Sequence, residues 1–495
     1  MLPDIYPLAL ASRPSRNFNE YSTKPKANVK CSSARGGWRR TPGDTEQEEE
    51  QRRWEKAFGA GVACVVHSLM PRVVAGQKVK RGMSDQWRET VFEKSYDVVV
   101  AGAGVAGVAA ALEAARCGAS VALVEKTVFA GGLATAGLVN MYLPLCDGNG
   151  TQVSFGLAEE LLWLSVRYGP GSVPSGWRRG KNLAEAKRFC TSFAPMSFAL
   201  ALDEILVAEG IHIWLDTLVV DAVVESGRVR GIEVENKSGR GRLDAGCVID
   251  ATGDADVAFR AGAKCFTGDN RRSQWLHTAS MEDARRAIET GRPGSLLGCR
   301  RLGSSDCGPL NGVSPRRYRG TEGRDVTEFL LNGRRLALDH YRAEQEKLGP
   351  DGRKLAFPLA LPSMGQFRTT RGIVGRLALD SGGQWKSAPD SVGLVADWRK
   401  PGHVWEIPFG SLVPETLGGL LAAGRCISSH RDAWEVTRVI PGAAVTGQAS
   451  GAAAALAVRR SKDVRDIDAE TVRAHLRSRN VPLHFADAGL KRPVG

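Results

Sequence analysis

The sequence predicts an α/β fold, a Rossmann-type sheet carrying a β-meander with an α+β domain inserted, and three observations predict it. One is a strand–turn–helix–strand unit between Tyr96 and Glu125 whose turn is rich in glycine. Another is a set of three runs between Leu218 and Ile249, joined by Ser226-Gly227 and Lys237-Ser238-Gly239, which read as consecutive hairpin strands. The third is a late buried-strand candidate, Gly419 to Ile427, followed by an almost pure alanine helix from Val445 to Val458 that must lie inside the protein.

Within the first unit, Tyr96 to Ala101 is a short valine-rich run of the kind buried on both faces of a sheet. It breaks into Gly102-x-Gly104-x-x-Gly107 and an alanine-rich helix ending at Cys117, with Gly118 placed as its C′ residue. Gly102 permits the tight turn, Gly104 lets backbone approach a pyrophosphate, and Gly107 lets helix pack on strand. Ala103, Val105 and Ala106 complete the turn, where the helix N-terminus offers N–H groups and a positive dipole end to phosphates. Val121 to Val124 is the next strand. It finishes on Glu125, 23 residues past Gly102 and placed to accept hydrogen bonds from a ribose hydroxyl, with Lys126 beside it.

At 495 residues the chain is too long for one small core, and two domains are expected. Hydrophobic content of 43% and charged content of 24% are ordinary for a globular protein. No apolar run approaches the roughly twenty residues that span a bilayer, so no membrane partner is expected. The net charge of +13 invites a nucleic-acid reading. Residues 1–82, however, hold 15 Lys/Arg against 8 Asp/Glu, over half of the excess. The mildly basic remainder has no basic helix interleaved with aromatics, so no nucleic acid is expected either. Ten cysteines without a C-x-x-C pair signal neither an iron–sulfur cluster nor a metal site. They read as reduced thiols of an intracellular, cytoplasmic protein.

Taken in order, residues 1–82 are polar, Ser/Pro/Arg-rich early, then carry Glu48-Glu49-Glu50 beside Arg52-Arg53. That composition predicts a disordered or dispensable extension over residues 1–90, in which 1–82 precede Met83 as the expected start; an organelle transit peptide is the alternative, against which Asp4 and Glu20 count. The apolar run within Ala57 to Met70 lies too far from Met1, without a small-residue cleavage site, for a signal peptide. After the opening unit, Gly131-Gly132-Leu133-Ala134-Thr135-Ala136-Gly137 must bring backbone close to a ligand or another strand. Ser154 to Trp163 begins a helix. Pro195 to Glu209 is an amphipathic helix with proline in its first turn and Gly210 closing it. Ile211 to Leu215 is a strand. The last meander strand, from Arg240, runs into Asp250-Ala251-Thr252-Gly253-Asp254. Phe266 to Asp325 has weak periodicity, Thr327 to Lys347 is a helix, and Leu359 to Pro414 alternates apolar runs with Gly and Pro as a β-rich cap does. The expected nucleotide domain is thus discontinuous (91–150, 195–265 and 410–460). A substrate or cap domain takes 151–194 and 266–409, and 461–495 form a C-terminal helix and tail.

Five segments, in order, resemble the FAD-dependent oxidoreductase family of glutathione-reductase-type flavoproteins. They are AGAGVAGVAAA, the E-x-x-x-x-x-GGLATAG loop, VIDATGDADVAFRAGA, LPSMGQFRTTRGIVG, and LLAAGRCIS with RVIPGAAVTGQASGAAAALAV. Wider relatives include fumarate reductase flavoproteins and the tRNA-modifying glucose-inhibited-division proteins. The resemblance covers Tyr96 to Val458 and is silent about substrate. It implies FAD along the opening turn, with Gly131, Gly132, Leu133, Ala134, Ala251, Thr252, Gly253 and Asp254 close to it. It places Gly424 and Arg425 at the ribityl and phosphate region, and aims the helix that begins near Gly442 to Gly447 at the pyrimidine edge of the flavin. A helix dipole there stabilises negative charge on the reduced ring. Only one fingerprint is present, so FAD alone is expected rather than FAD with NAD(P). No histidine lies in the GGLATAG loop, so the FAD is expected to be non-covalent.

With the redox step on the flavin, the protein must orient a substrate and move protons. Arg368 and Arg371 of QFRTTR are candidates to hold an anion, the alternative being a structural salt-bridged pair. His430, Arg431, Asp432, Trp434 and Arg438 lie between the last strand and the last helix, and His430 is the acid/base candidate. The common form of the family has a histidine–glutamate pair one position later, where this chain has Arg431-Asp432. Cys146 reads as buried and inert, since no basic residue flanks it. The expected activity is a dehydrogenase or reductase moving a hydride between flavin and a small organic anion, with an unidentified electron donor or acceptor. Rival readings are a flavin monooxygenase or oxidase, and a non-catalytic or tRNA-associated flavoprotein.

Overall fold

A computed structural model describes residues 91–174, 177, 189–303 and 316–491, so the expectations for residues 1–90 lie outside the described residues. The opening unit folds as its pattern predicts, with a longer first strand. β1 (Phe92–Ala101) leads into α1 (Val105–Arg116), and β2 (Val121–Val124) pairs with β1 in parallel. Val98 to Ala101 are fully buried, as a strand covered on both faces requires. Gly118 stands at φ +87° and donates to Ala115, while Ala119 donates to Ala114, which satisfies the last carbonyls of α1.

After α2 (Leu157–Val166) and α3 (Pro195–Ala208), β3 (His212–Trp214) joins β2 in parallel. The meander follows as β4 (Leu218–Glu225), β5 (Arg228–Asn236) and β6 (Gly239–Asp250). Ser226 and Gly227 both take positive φ between β4 and β5, the geometry a two-residue hairpin demands. β6 joins the two parts of the sheet. Its first half is antiparallel to β5, its last residues are parallel to β7 (Leu420–Ala422), and its length is parallel to β1. The strand order is β3-β2-β1-β6-β5-β4, with β7 also beside β6.

By register Ala101 is level with Val124 and Asp250, and Asp250 with Ala422. Gly102, Glu125, Ala251 and Ala423 therefore leave the sheet side by side at the carboxyl ends of parallel strands, where open α/β sheets hold ligands. Trp214 is level with Val124 too, yet its ring stacks on Phe92 at 5.3 Å, nine residues back along β1 from Ala101. Nine strand residues span about 30 Å. The meander end of β1 therefore curls back across the sheet.

The alanine-rich helix is α4 (Ile440–Arg459), longer at its start than its composition suggests and buried along almost all of its length. A Cβ at Gly447 would stand 2.2 Å from the Ala106 carbonyl oxygen, and one at Gly451 2.2 Å from that of Ala110. α1 and α4 thus meet backbone to backbone, and small residues on both helices permit it. Away from this core, strands Ser273–Ser280, Gly298–Gly303 and Ala356–Ala360 form a second, antiparallel sheet. Helix Gly323–Lys347 covers it through Ala337 and Tyr341 on Leu276. The stretch read as a β-rich cap divides. Ala356–Ala360 completes the second sheet, whereas Val392 and Val395 of Ser391–Ala396, with Trp405 and Ile407 of Val404–Pro408, pack into the main core. Among the described residues no helix is long and apolar enough to cross a membrane.

Candidate functional site

The turn after β1 is built of glycines for two different reasons. Gly102 has φ +95°, and a Cβ there would lie 2.5 Å from the Ala251 carbonyl oxygen; at Gly107 it would lie 1.8 Å from that of Gly102. These two positions are closed by backbone. At Gly104 no atom of the described residues lies within 4 Å of where a Cβ would be. That open space fronts the first turn of α1, whose initial N–H groups, at Val105, Ala106 and Gly107, have no helical carbonyl before them. The arrangement is a cradle for an anion.

Glu125 is buried beside the turn. Its two carboxylate oxygens accept from the N–H groups of Ala103 at 2.8 Å and Thr127 at 2.9 Å, which fixes its orientation and leaves lone pairs for a hydroxyl. Lys126 is exposed. Of the two roles open to the GGLATAG loop, the geometry displays the approach to another backbone. Gly131 donates to the Ala103 carbonyl at 2.7 Å, and a Cβ on Gly132 would stand 3.0 Å from the Gly104 Cα. Gly132–Ala134, with Leu133 between, forms one 3-10 turn there.

The loop after β6 is organised by Asp250, fully buried. It accepts the N–H groups of Thr252 (3.1 Å) and Ala258 (2.9 Å) and the Thr252 hydroxyl (2.7 Å), while burial pushes its carboxyl up. The sulfur of Cys426 receives the N–H groups of Gly253 (3.1 Å) and Ala255 (3.3 Å). Arg425 commits its guanidinium to protein: the carbonyls of Gly253 (2.5 Å) and Phe367 (2.6 Å) and the carboxylate of Asp254 (2.9 Å). Gly424, at φ +66°, donates to the Thr446 hydroxyl at 2.9 Å, and a Cβ on it would meet the Ala106 Cβ at 2.7 Å. β7 therefore exits between the N-terminal ends of α1 and α4.

Residues 363–371 run as a strap across these loops. Ser363 donates to Ala136, Gln366 to Gly137, and Arg368 and Thr369 give their N–H groups to Asn270. The Thr370 hydroxyl stands 2.8 Å from the Asp254 carboxylate. Arg368 and Arg371 have different neighbours. The guanidinium of Arg368 lies 5.8 Å from the Trp275 ring on the second sheet. That of Arg371 lies 4.0 Å over Phe259 and 3.8 Å from Asp256; its side chain is only 7% exposed, yet Nη1 has no hydrogen-bond partner among the described residues.

His430 occupies the N-cap position of helix Arg431–Thr437 without a capping side-chain bond, its ring 4.0 Å from that of Phe266. Burial holds its imidazole below the usual value, against the opposing pull of Asp380. Arg431 turns outward to Asp380, and Arg438 pairs with Glu435. The Cys146 thiol is pushed up to about 12 by burial and by Asp147 and Glu159, which suits an inert sulfur. Asp250, Gln366, Thr370, Cys426 and Thr446 lie within the five segments that carry the resemblance but are not among the site residues the sequence predicts. Only Asp250 had a signal, an acid closing an apolar strand.

The sequence model of the family described as "FAD dependent oxidoreductase" matches residues 97–341 and 386–476. A thioredoxin reductase of Ureaplasma parvum serovar 3 is 38% identical over 74 residues, 15% of this chain and 24% of that enzyme. The match therefore spans about a quarter of that relative. Among solved structures, a geranylgeranyl bacteriochlorophyll reductase-like protein from Thermoplasma acidophilum is 15% identical at a TM-score of 0.39, covering 80% of this chain and 87% of its own. The E. coli quinol fumarate reductase FrdA is 14% identical at 0.37, covering 78% and 74%. The family match takes in the Gly102 turn, Glu125, the Asp250 loop and the whole of α4, and by it the chain belongs to the FAD-dependent oxidoreductases, enzymes with FAD as cofactor.

Proposed function

We propose that this enzyme moves a hydride between FAD and a small organic anion held at the strap. The observation that carries the reading is Arg371, a buried guanidinium beside the cofactor loops with one nitrogen that no described residue bonds. A buried donor without a partner costs about 1–3 kcal/mol, and a carboxylate oxygen would relieve it.

The site fits FAD on its own geometry: the open space at Gly104 admits a diphosphate, and the pinned Glu125 keeps lone pairs for ribose. FAD, when bound, supplies the redox step at its ring. In this reading the turn from Gly102 to Gly107 binds phosphate through N–H groups. Gly131 to Ala134, Ala251 to Asp254 and Gly424 present backbone to the cofactor. Arg425 acts as a brace between loops, and Gly447 keeps α4 against α1. Arg371 orients the anion, with Arg368 three residues before it on the strap, and His430, neutral at pH 7, exchanges the proton that accompanies the hydride.

The test is an anaerobic panel of small organic acids and their reduced or oxidised partners. Bleaching or restoration of the flavin spectrum by a member of the panel is expected, and Arg371→Gln is expected to raise its KM about tenfold or more with FAD retained. Reduced enzyme that reacts rapidly with oxygen, and with none of the panel, would replace this reading by an oxidase or monooxygenase.

A further inference from the structure

Cys117 closes the end of α1 away from the Gly102 turn, and a histidine from the last helix lies against it. Its Sγ is 3.5 Å from Nε2 of His475, and the same nitrogen is 2.7 Å from Oε1 of Glu113. Glu113 and Cys117 are four residues apart on α1 and so share one face. His475 arrives on helix Ala469–Ser478. One donor atom from each of the three lies within 4.8 Å of the other two.

We infer that Glu113, Cys117 and His475 form a zinc site. A sulfur, an imidazole nitrogen and a carboxylate oxygen are the donor set that zinc takes, and softer than calcium or magnesium would select. On a tetrahedral zinc the sulfur and nitrogen ligands stand about 3.6 Å apart, close to the spacing of Cys117 and His475. Nitrogen and oxygen ligands stand about 3.3 Å apart, so Oε1 has to swing back by about 0.6 Å as the metal replaces the hydrogen bond. The carboxylate is already oriented from behind. Glu113 is 1% exposed, and Gln448 on α4 donates to its second oxygen at 2.8 Å, the supporting bond that zinc carboxylates commonly have.

Cys117 and His475 are half-buried, which leaves the fourth position to water or a solvent-borne ligand. Arg479, whose Nε is 3.6 Å from Oε1, is 41% exposed and free to swing into solvent when the dication enters. On binding, the thiol proton and the proton between His475 and Glu113 pass to solvent. Along α1 the site's ligands stand about 12 Å (Glu113) and about 18 Å (Cys117) from Val105 at the FAD cradle. It clips the last helix to α1 and α4 and has no part in the redox step.

The experiment uses the full-length FAD-loaded protein, stripped with chelator and titrated with Co²⁺ and Zn²⁺. One equivalent of Co²⁺ is expected, with a thiolate-to-cobalt charge-transfer band and d–d bands to the red of the flavin. Cys117→Ser is expected to abolish the charge-transfer band, and Cys117→Ser and His475→Asn each to weaken binding about tenfold or more. At equal Zn²⁺ concentration the unfolding temperature is expected to rise more in the parent protein than in either variant. Flavin content, unchanged in both, shows that they fold. Absence of stoichiometric uptake overturns the inference, as does a charge-transfer band that survives in Cys117→Ser.

Discussion

The side-chain amide of Gln366 stands in for a missing strand beside Trp275. Its Oε1 accepts the Trp275 N–H at 2.8 Å, and its Nε2 donates to the Trp275 carbonyl at 3.1 Å and to Gly137 at 2.6 Å. One buried side chain therefore ties the second sheet to the GGLATAG loop. Gln366→Ala leaves these groups without partners and should cost about 1–3 kcal/mol in urea unfolding. Because the bond also sets where the strap lies, KM for the substrate should rise more than kcat falls. Unchanged unfolding would show that water replaces the amide.

Gly104→Ala and Gly107→Ala should separate binding from folding. A Cβ at Gly107 collides with the Gly102 carbonyl at 1.8 Å, so that variant must shift α1 on the sheet and should lose about 1–3 kcal/mol, with or without added FAD. At Gly104 the Cβ meets nothing, so the unfolding midpoint without FAD should hold while FAD affinity falls. Fluorescence titration of the apoprotein with FAD, alongside its unfolding curve, checks both. Equal loss of stability in the two variants would remove the distinction drawn between the glycines.

How much of this was legible in the sequence follows from distance along the chain. The turn, Glu125 and the meander were readable because their signals are local: glycine spacing, alternation, an acid at the end of a strand. The longer reach of β1, from Phe92 rather than Tyr96, was not, since Glu93 to Ser95 are polar and become strand only by pairing with Arg242 to Asp244. The three acceptors of Arg425 come from positions near 253 and 367 that no local pattern connects to it. Gln366 had no signal at all, because its role depends on a gap in a sheet.

His430 carries a pH prediction. Burial holds its imidazole below the ordinary value of about 6.5, so at pH 7 it is neutral and able to accept a proton. If it is the base, kcat/KM should be flat through neutrality and fall only below pH 6.5, as protonation removes the acceptor. His430→Asn should lower the plateau about a hundredfold and abolish that acid limb. An acid limb that persists in the variant assigns the proton to another group.

Arg425→Lys tests the brace. The guanidinium reaches two carbonyls and one carboxylate from three separate nitrogens, a spread that a single ammonium cannot cover. Lysine can keep the ion pair with Asp254 or a carbonyl, so at least one buried acceptor loses its donor, at about 1–3 kcal/mol. The loss falls on the two segments the arginine joins, the Gly253 loop and the strap at Phe367. Substrate affinity and FAD affinity should therefore weaken together, unlike Arg371→Gln, which should spare FAD. If Arg425 instead binds the cofactor directly, FAD affinity should collapse while unfolding of the apoprotein stays at the parent value, and comparing the two curves decides between a brace and a ligand.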